Sequence, residues 1–323
     1  MTDQGALHLV IDVLGPIGPK VEDLPKPKKH DPLSSVYTNI DYSTLPHSCN
    51  TFTQDRMTVI VSVKINDGIV MASDSASTFT NGQIYLTADK IVNLVKGLPI
   101  GVMVTGNGGI GSESITTLLK DLRRRLDGAG GHAWKLDRSA YTMSSVADRL
   151  REFLFEKAAA HENGAWMQMR LCGYSVGRPL PETWEVCLRG RECDAPVLKQ
   201  AEGHFGVSWD GEPEPLNRLI LGIGTGFHDV AISLGVPVEQ MPEIQSKIIC
   251  HLYENLVVPS MPVQDAIDLA RFLVETTVGF VRFSLHKQPK TVGGPVEIAA
   301  ITKHEGFQWV QRRHFYPAAL NPS

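Results

Sequence analysis

The sequence predicts an α+β fold in which two antiparallel β-sheets pack face to face and carry helices on their outer faces. Predicted strands come in blocks separated by blocks of helices, whereas a parallel doubly wound sheet needs regular alternation of the two. The first two strands meet at Asn66-Asp67-Gly68, where Asp-Gly supplies the positive φ angles of a tight hairpin turn. The predicted helices carry apolar stripes, and sheets placed between helix layers would cover all of these stripes.

The elements follow from the spacing of apolar residues along the chain. β-branched, alternating stretches at the start indicate an antiparallel meander, and later segments repeat apolar residues at helical spacing. Ser145 and Asp148 are the expected capping pair of the second helix. The predicted elements are strands over 58–65, 68–75, 84–95 and 98–106, helices over 112–126 and 146–157, strands over 167–176, 182–190 and 216–224, helices over 228–234, 242–256 and 263–283, and a closing hairpin over 295–303 and 306–313.

Residues 1–57 differ in composition from the rest of the chain. They contain 6 of the 20 prolines, and proline interrupts helices and central strands because it lacks the N–H and fixes φ. We therefore expect a flexible Pro-rich leader, either a propeptide or a mis-assigned start, followed by one domain over 58–323.

Composition and charge exclude several classes of protein. The net charge of -4 and the pI of about 6.3 disfavour nucleic-acid or membrane partners bound through bulk charge. No apolar run of about 18 residues is present, and no basic region precedes the apolar N-terminal stretch. The 5 cysteines form no CxxC pair, which favours a reducing compartment. The cytoplasm is therefore the expected location, and no metal or cofactor is predicted.

A glycine-rich segment, residues 106–111, matches the GxGxxG pattern of dinucleotide-binding loops. Such a loop would present the N-terminus of a helix to a pyrophosphate. However, the preceding strand belongs to a meander, and no acidic residue at a strand end follows at the expected distance near Asp127. A tight turn with close packing between strand and helix explains the glycines more simply.

Three polar residues, Thr58, Asp74 and Lys90, are spaced 16 residues apart at the ends of, or within, the first predicted strands. In a meander this spacing brings side chains together at one edge. The plain alternative is an edge lysine and a capping aspartate. Against it, a lysine in an otherwise apolar strand is costly to bury unless it is paired, and Asp74 would supply the partner.

This set has the chemistry of an N-terminal nucleophile. A threonine hydroxyl needs a nearby base, and the α-amine of Thr58 would supply one if Thr58 were the first residue of the mature chain. The Lys90 ammonium would lower the pKa of the hydroxyl and of the amine, and Asp74 would keep Lys90 charged. The N–H of Gly106, at the next strand end, would stabilise an oxyanion.

At these residues the sequence resembles a known family. The stretch TVIVSVKINDGIVMASDSAST, followed by ADKIVNL and VTGNGG, is similar to the start of proteasome β-subunits and of the bacterial HslV-type peptidases. The resemblance extends to about residue 310. It implies the four-layer αββα sandwich of N-terminal-nucleophile hydrolases, with Thr58, Asp74, Lys90 and Gly106 as catalytic residues. Within LGIGTG, it places Thr225 where the family has an accessory serine.

The resemblance also implies an activity and partners. Members are threonine-type endopeptidases that form homo-oligomeric rings, free their threonine by autoprocessing, degrade polypeptides and often work with an ATP-driven unfoldase. The sequence departs from the proteasome pattern at 287–292, where the supporting aspartate and serine are not matched, although Thr291 could partly substitute. Two other functions stay open: a catalytically silent structural ring subunit, and an amidase or transpeptidase with a specialised substrate.

Overall fold

The structure is a computed structural model that describes residues 58–78, 83–129, 131, 133–162, 164–286 and 291–313. These residues form two antiparallel sheets packed face to face, with helices on both outer faces. The predicted α+β class and the αββα layering are therefore confirmed. The predicted leader, residues 1–57, and residues 287–290 lie outside the described residues.

The strands are numbered in chain order: β1 (Val59–Ile65), β2 (Gly68–Ser73), β3 (Ser77–Thr78), β4 (Ile84–Tyr85), β5 (Ile91–Asn93), β6 (Ile100–Gly106), β7 (Gly109–Ile110), β8 (Glu113–Ser114), β9 (Ala165–Gly173), β10 (Glu182–Gly190), β11 (Glu192–Cys193), β12 (Val197–Gln200), β13 (Gly206–Gly211), β14 (Glu297–Thr302) and β15 (Gly306–Gln311).

The helices are α1 (Ile115–Arg124), α2 (Met143–Ala159), the short α3 (Glu214–Leu216), α4 (Phe227–Ser233), α5 (Met241–Leu252) and α6 (Val263–Phe283). Segments with π-helical geometry extend α1 over Arg125–Ala129 and α3 over Asn217–Leu221, and a single 3₁₀ turn, Val238–Gln240, precedes α5. Among the described helices, none combines the length and apolarity needed to cross a membrane.

The first sheet has the strand order β13-β1-β2-β14-β15, and all its pairs are antiparallel. Strand β1 lies inside this sheet and is buried along its whole length. Because side chains alternate across a strand, Val59, Val61 and Val63 pack on the helix side with residues of α6, while Ile60 faces the second sheet. The alternation of residues along β1 in the sequence therefore correctly predicts which side chains lie on each face of the strand.

The second sheet has the order β11-β10-β9-β6-β5, and β12 also pairs with β10. Its outer face is covered by α1 and α2, whose apolar stripes form one core with residues of β6, β9 and β10. The predicted meander is thus divided: β1 and β2 belong to the first sheet, whereas β5 and β6 belong to the second. The chain crosses between sheets in the segment that runs from Asp74 to Lys90.

Three local predictions were wrong. The stretch 84–95 was expected to be one strand, but it contains two separate strands, β4 and β5, which belong to different sheets. The stretch 216–224 was expected to be a strand, but Asn217–Leu221 continues helical structure from α3, with Leu216, Ile220 and Leu221 buried at helical spacing. The capping pair of α2 is Thr142 and Ser145 rather than Ser145 and Asp148. Thr142 Oγ1 accepts from the Ser145 N–H at 3.1 Å, and Ser145 Oγ accepts from the Thr142 N–H at 3.2 Å.

A cluster of polar side chains lies between the two sheets. Arg170 on β9 donates to Asp210 and to Ser208, both on β13, and its Nη2 lies 3.4 Å from Glu185 Oε2 on β10. Gln168 on β9 donates to Asp210 Oδ1 at 2.9 Å and to Glu185 Oε2 at 2.6 Å. Since β13 belongs to the first sheet and β9 to the second, we call this cluster the sheet bridge.

A second buried cation faces the same space from the far end of β1. Lys64 is fully buried, its ammonium donates to the Ala201 carbonyl, and its Nζ lies 5.8 Å from the centre of the Phe205 ring. Burial lowers the pKa of Lys64 to about 8, against the opposing attraction of Glu182 and Glu202. Among the described residues, no carboxylate lies as close to the Lys64 ammonium as Asp210 lies to Arg170.

Because of Lys64, the free energy of unfolding should depend on pH in the alkaline range. Between its folded pKa of about 8 and its ordinary value of 10.5, the unfolded chain carries a proton that the folded chain lacks. The free energy of unfolding should therefore rise by about 3 kcal/mol from this residue as the pH is raised through that interval. Urea unfolding at several pH values should show this rise in the wild type and lose it in Lys64→Met. Lys303→Met, a change at an exposed lysine, is the control and should keep the rise. If the two variants showed the same pH dependence, Lys64 would not be its source.

Candidate active site

The Asp74 carboxylate is the centre of the site predicted from the sequence. Asp74 follows β2 directly, is fully buried and accepts four hydrogen bonds. Its Oδ1 accepts from the Val59 N–H at 3.0 Å and from Lys90 Nζ at 2.7 Å. Its Oδ2 accepts from the Ala76 N–H at 3.1 Å and from the Gly293 N–H at 3.0 Å. Each oxygen of this buried carboxylate therefore has two hydrogen-bond donors.

Thr58 lies immediately before β1 and is buried at the same end of the strand. Its carbonyl accepts from the Glu212 N–H at 2.7 Å. The N–H of the next residue, Val59, donates to Asp74 Oδ1 at 3.0 Å, and the Val59 carbonyl accepts from the Asp74 N–H at 3.3 Å. Gly211 on β13 approaches so closely that an added Cβ would lie 1.8 Å from the Thr58 carbonyl oxygen. The backbone of Thr58 is therefore fixed between β2 and β13.

Lys90 enters the site from the second sheet. It lies one residue before β5, its carbonyl accepts from the Val104 N–H at 3.1 Å, and only 6% of its surface is exposed. Burial lowers the pKa of Lys90, and the Asp74 carboxylate opposes that effect through its charge and its hydrogen bond. The structure therefore brings Asp74 and Lys90 together as a buried ion pair beside the start of β1.

Gly106 is the last residue of β6, two positions beyond the Val104 that bonds to Lys90. Its φ is 97°, and an added Cβ would lie 2.4 Å from the Trp166 carbonyl oxygen. Both conditions require glycine. The following glycines form the hairpin of β7 and β8, and Ser114 caps α1 through its hydroxyl. This hairpin separates β6 from α1, whereas a dinucleotide-binding loop joins its strand directly to its helix.

Thr225 lies just before α4, and its hydroxyl donates to Glu214 Oε2 at 2.5 Å. The Thr225 N–H donates to the same oxygen, while Arg218 holds the other carboxylate oxygen of Glu214. Because a hydroxyl has a single hydrogen, this bond occupies the donor of Thr225. Its expected role as an accessory to Thr58 stays a prediction.

Sequence reasoning missed the segment that leads into β14. Besides the bond from Gly293 to Asp74, the Gly293 carbonyl accepts from the Ser75 N–H at 3.0 Å, and Ser75 Oγ donates to the Pro295 carbonyl at 2.6 Å. At the start of β14, the buried Glu297 accepts from the Lys90 N–H. The paired glycines 293 and 294 were the available signal, but their partner more than 200 residues earlier was not visible in the sequence.

The arrangement has a definite chemical capacity. A buried ammonium held by a carboxylate, next to a threonine at the start of a strand, can lower the pKa of a neighbouring hydroxyl or amine. Within the described residues, no group of three His, Cys, Asp or Glu side chains is placed to hold a metal ion. The four described cysteines, Cys172, Cys187, Cys193 and Cys250, are free thiols.

Removing one partner of the buried pair should be strongly destabilising. Asp74→Asn leaves the Lys90 ammonium buried without its counter-charge and should lower the free energy of unfolding by about 3–5 kcal/mol. The control is Asp268→Asn, which breaks an exposed pair with Arg271 and should cost less than about 1 kcal/mol. Urea unfolding of both variants measures these losses. Similar small losses in both would show that the buried Asp74–Lys90 pair does not stabilise the fold more than an exposed pair.

No family model and no curated protein matches the chain. Among the solved structures that match is Anbu (ancestral beta-subunit) from Yersinia bercovieri, with a TM-score of 0.50 and 16% sequence identity. The match covers 80% of this chain and 89% of Anbu. At this identity the likeness shows the fold, which is proteasome-like.

The comparisons correct one interpretation of the sequence. Assignment of the chain to the proteasome β-subunit and HslV-type peptidase family was wrong, because no family model matches and the structural likeness is to Anbu at low identity. The α+β sandwich of this chain is similar in fold to that of Anbu.

Proposed function

We propose that the chain is a threonine-type peptidase in which Thr58, once it is the N-terminal residue, attacks peptide bonds. The observation that carries the proposal is the buried Asp74–Lys90 pair, 2.7 Å apart, whose carboxylate is also bonded to the residue after Thr58. A pair that is costly to bury and replaceable by apolar residues has little reason to exist for stability alone. Its position beside the candidate nucleophile supports a catalytic role.

In the first half of the reaction, the α-amine of Thr58 takes the proton from its own hydroxyl. Oγ1 forms a bond to the scissile carbonyl carbon, and the carbonyl electron pair moves to the oxygen, which accepts a hydrogen bond from the Gly106 N–H. The tetrahedral intermediate collapses, the C–N bond breaks, and the ammonium of Thr58 gives its proton to the leaving amine. The acyl part of the substrate remains attached to Thr58 Oγ1 as an ester.

In the second half, water replaces the amine. The α-amine of Thr58 removes a proton from water, the hydroxide oxygen bonds to the ester carbonyl, and the ester C–O bond breaks with return of the proton to Oγ1. Lys90 lowers the pKa of both Thr58 groups through its positive charge, and Asp74 maintains that charge. The steps use only groups of this chain, the substrate and water, and no cofactor takes part.

This chemistry requires a free amine at Thr58. Thr58 follows Met57 in the sequence, so the mechanism requires either autoprocessing that removes residues 1–57 or synthesis from Met57 followed by removal of that methionine. A chain that keeps these residues would have no base at the nucleophile. The start of the mature protein is therefore part of the proposal.

The wider assembly is also proposed. Anbu is named as a subunit, and we infer that copies of this chain form a ring that encloses their Thr58 side chains. Enclosed sites of this kind act on unfolded polypeptides, so an ATP-driven unfoldase is the partner that would supply them. The support for this step is the shared fold, which by itself does not determine activity.

Replacing the nucleophile is the decisive test. Thr58→Ala should lower kcat by at least about 10³-fold on an unstructured protein substrate while leaving the free energy of unfolding within about 1 kcal/mol of wild type. Thr58→Ser should keep measurable activity, because it retains the hydroxyl. Thr302→Ala, a matched change at the end of β14, should leave turnover unchanged.

Intact-mass measurement of each purified protein must accompany these assays. A wild-type chain that begins at Thr58 and cleaves unstructured protein supports the peptidase proposal. Activity confined to short amides would instead favour an amidase, and near-wild-type turnover in Thr58→Ala would falsify the nucleophile assignment.

A further inference from the structure

Glu297 is a buried carboxyl that the proposed mechanism does not use. It is the first residue of β14, lies opposite Ser73 in the sheet register, and has 3% of its surface exposed. Ser73 is the residue before Asp74, so Glu297 and Asp74 flank the same strand end. Its side chain lies on the face of β14 that looks toward the second sheet, as do Ala299 and Ile301.

The Glu297 carboxylate contacts Lys90 at the backbone rather than at the ammonium. The Lys90 N–H donates to it, and its negative charge also acts on the Lys90 side chain. The other oxygen, Oε2, is buried and has no hydrogen-bond partner among the residues that the structure describes. An unsatisfied buried oxygen is destabilising, so stability alone does not account for glutamate at this position.

We propose that Glu297 is a positioning residue of the Thr58 site, which holds the backbone of Lys90 and sustains the positive charge of its ammonium. The inference rests on the proposed peptidase function. Lys90 needs such support because burial works against its charged form, and Asp74 is the other carboxylate that opposes this effect. The Asp74 carboxylate therefore holds the Lys90 side chain, and the Glu297 carboxylate holds the Lys90 backbone N–H.

The surroundings of Glu297 set the pH at which it changes charge. Burial and repulsion from Asp89 together raise its pKa to about 7, although the Lys90 N–H, Arg312 and Arg313 act in the opposite direction. Glu297 is consequently neutral in mildly acidic solution and ionised in mildly alkaline solution. The support that it gives to Lys90 should appear as the pH rises through neutrality.

This charge change should be visible in the pH dependence of catalysis. The α-amine of Thr58 must lose a proton to act as base, and its ordinary pKa is about 7.7–8.0. If Glu297 must also be ionised, two deprotonations control kcat/KM on the acidic limb, and the slope of log kcat/KM against pH exceeds about 1. A residue with a purely structural role would change the rate equally at every pH.

The test is the pH profile of Glu297→Gln, measured on protein whose intact mass shows that it begins at Thr58. This isosteric variant cannot ionise, so kcat/KM should fall about tenfold near pH 8.5 and less than about twofold near pH 5.5, and the acidic slope should drop to about 1. Glu297→Asp restores an ionisable carboxyl and should recover part of the loss. The exposed Glu275→Gln is the matched control and should follow the wild-type profile.

A second measurement separates this inference from the proposed function. The titration of Lys90, followed by NMR of [13Cε]lysine protein and assigned with Lys90→Met, should occur at lower pH in Glu297→Gln than in wild type. This readout needs no activity, so an inactive wild type or an active Thr58→Ala would end the peptidase proposal without deciding the role of Glu297. An unchanged Lys90 titration, or a loss of activity that is equal at both pH values, would overturn the positioning role.

Discussion

A charged group that is removed from water must be surrounded by partners, and the Asp74 carboxylate imposes this condition on one whole end of the molecule. Its four donors come from the start of β1, the turn after β2, the residue before β5 and the segment before β14. These segments belong to both sheets. The position of Thr58 is thus set by an electrostatic requirement that the sandwich as a whole satisfies.

Two other cations buried between the sheets, Arg170 and Lys64, have different partners. Arg170 is matched by two carboxylates of the sheet bridge, whereas Lys64 is held by a backbone carbonyl and loses its proton more readily. The bridge includes Asp210, the neighbour of the Gly211 that contacts Thr58. The sheet bridge and the backbone contact of Thr58 are therefore adjacent on β13.

Local patterns predicted much of this structure, because they report local physics. The Asp67-Gly68 turn, the burial of β1 and the bounds of α6 follow from turn chemistry and periodicity, and the equal spacing of Thr58, Asp74 and Lys90 indicated their proximity. The division of the strands between two sheets could not be read, since sheet membership is decided by tertiary packing. The same is true of Glu297, whose role depends on a strand that joins β2 from the far end of the chain.

The bond between Asp74 and Gly293 joins groups separated by 219 residues. Contacts of such long range form late, because the entropy of closing the intervening loop must be overcome before they contribute. During synthesis the N-terminal half emerges first, so Thr58 and Lys90 exist for some time without the segment that completes the shell around Asp74. The shell of donors around Asp74 is therefore complete only after the chain has been synthesised through Gly293.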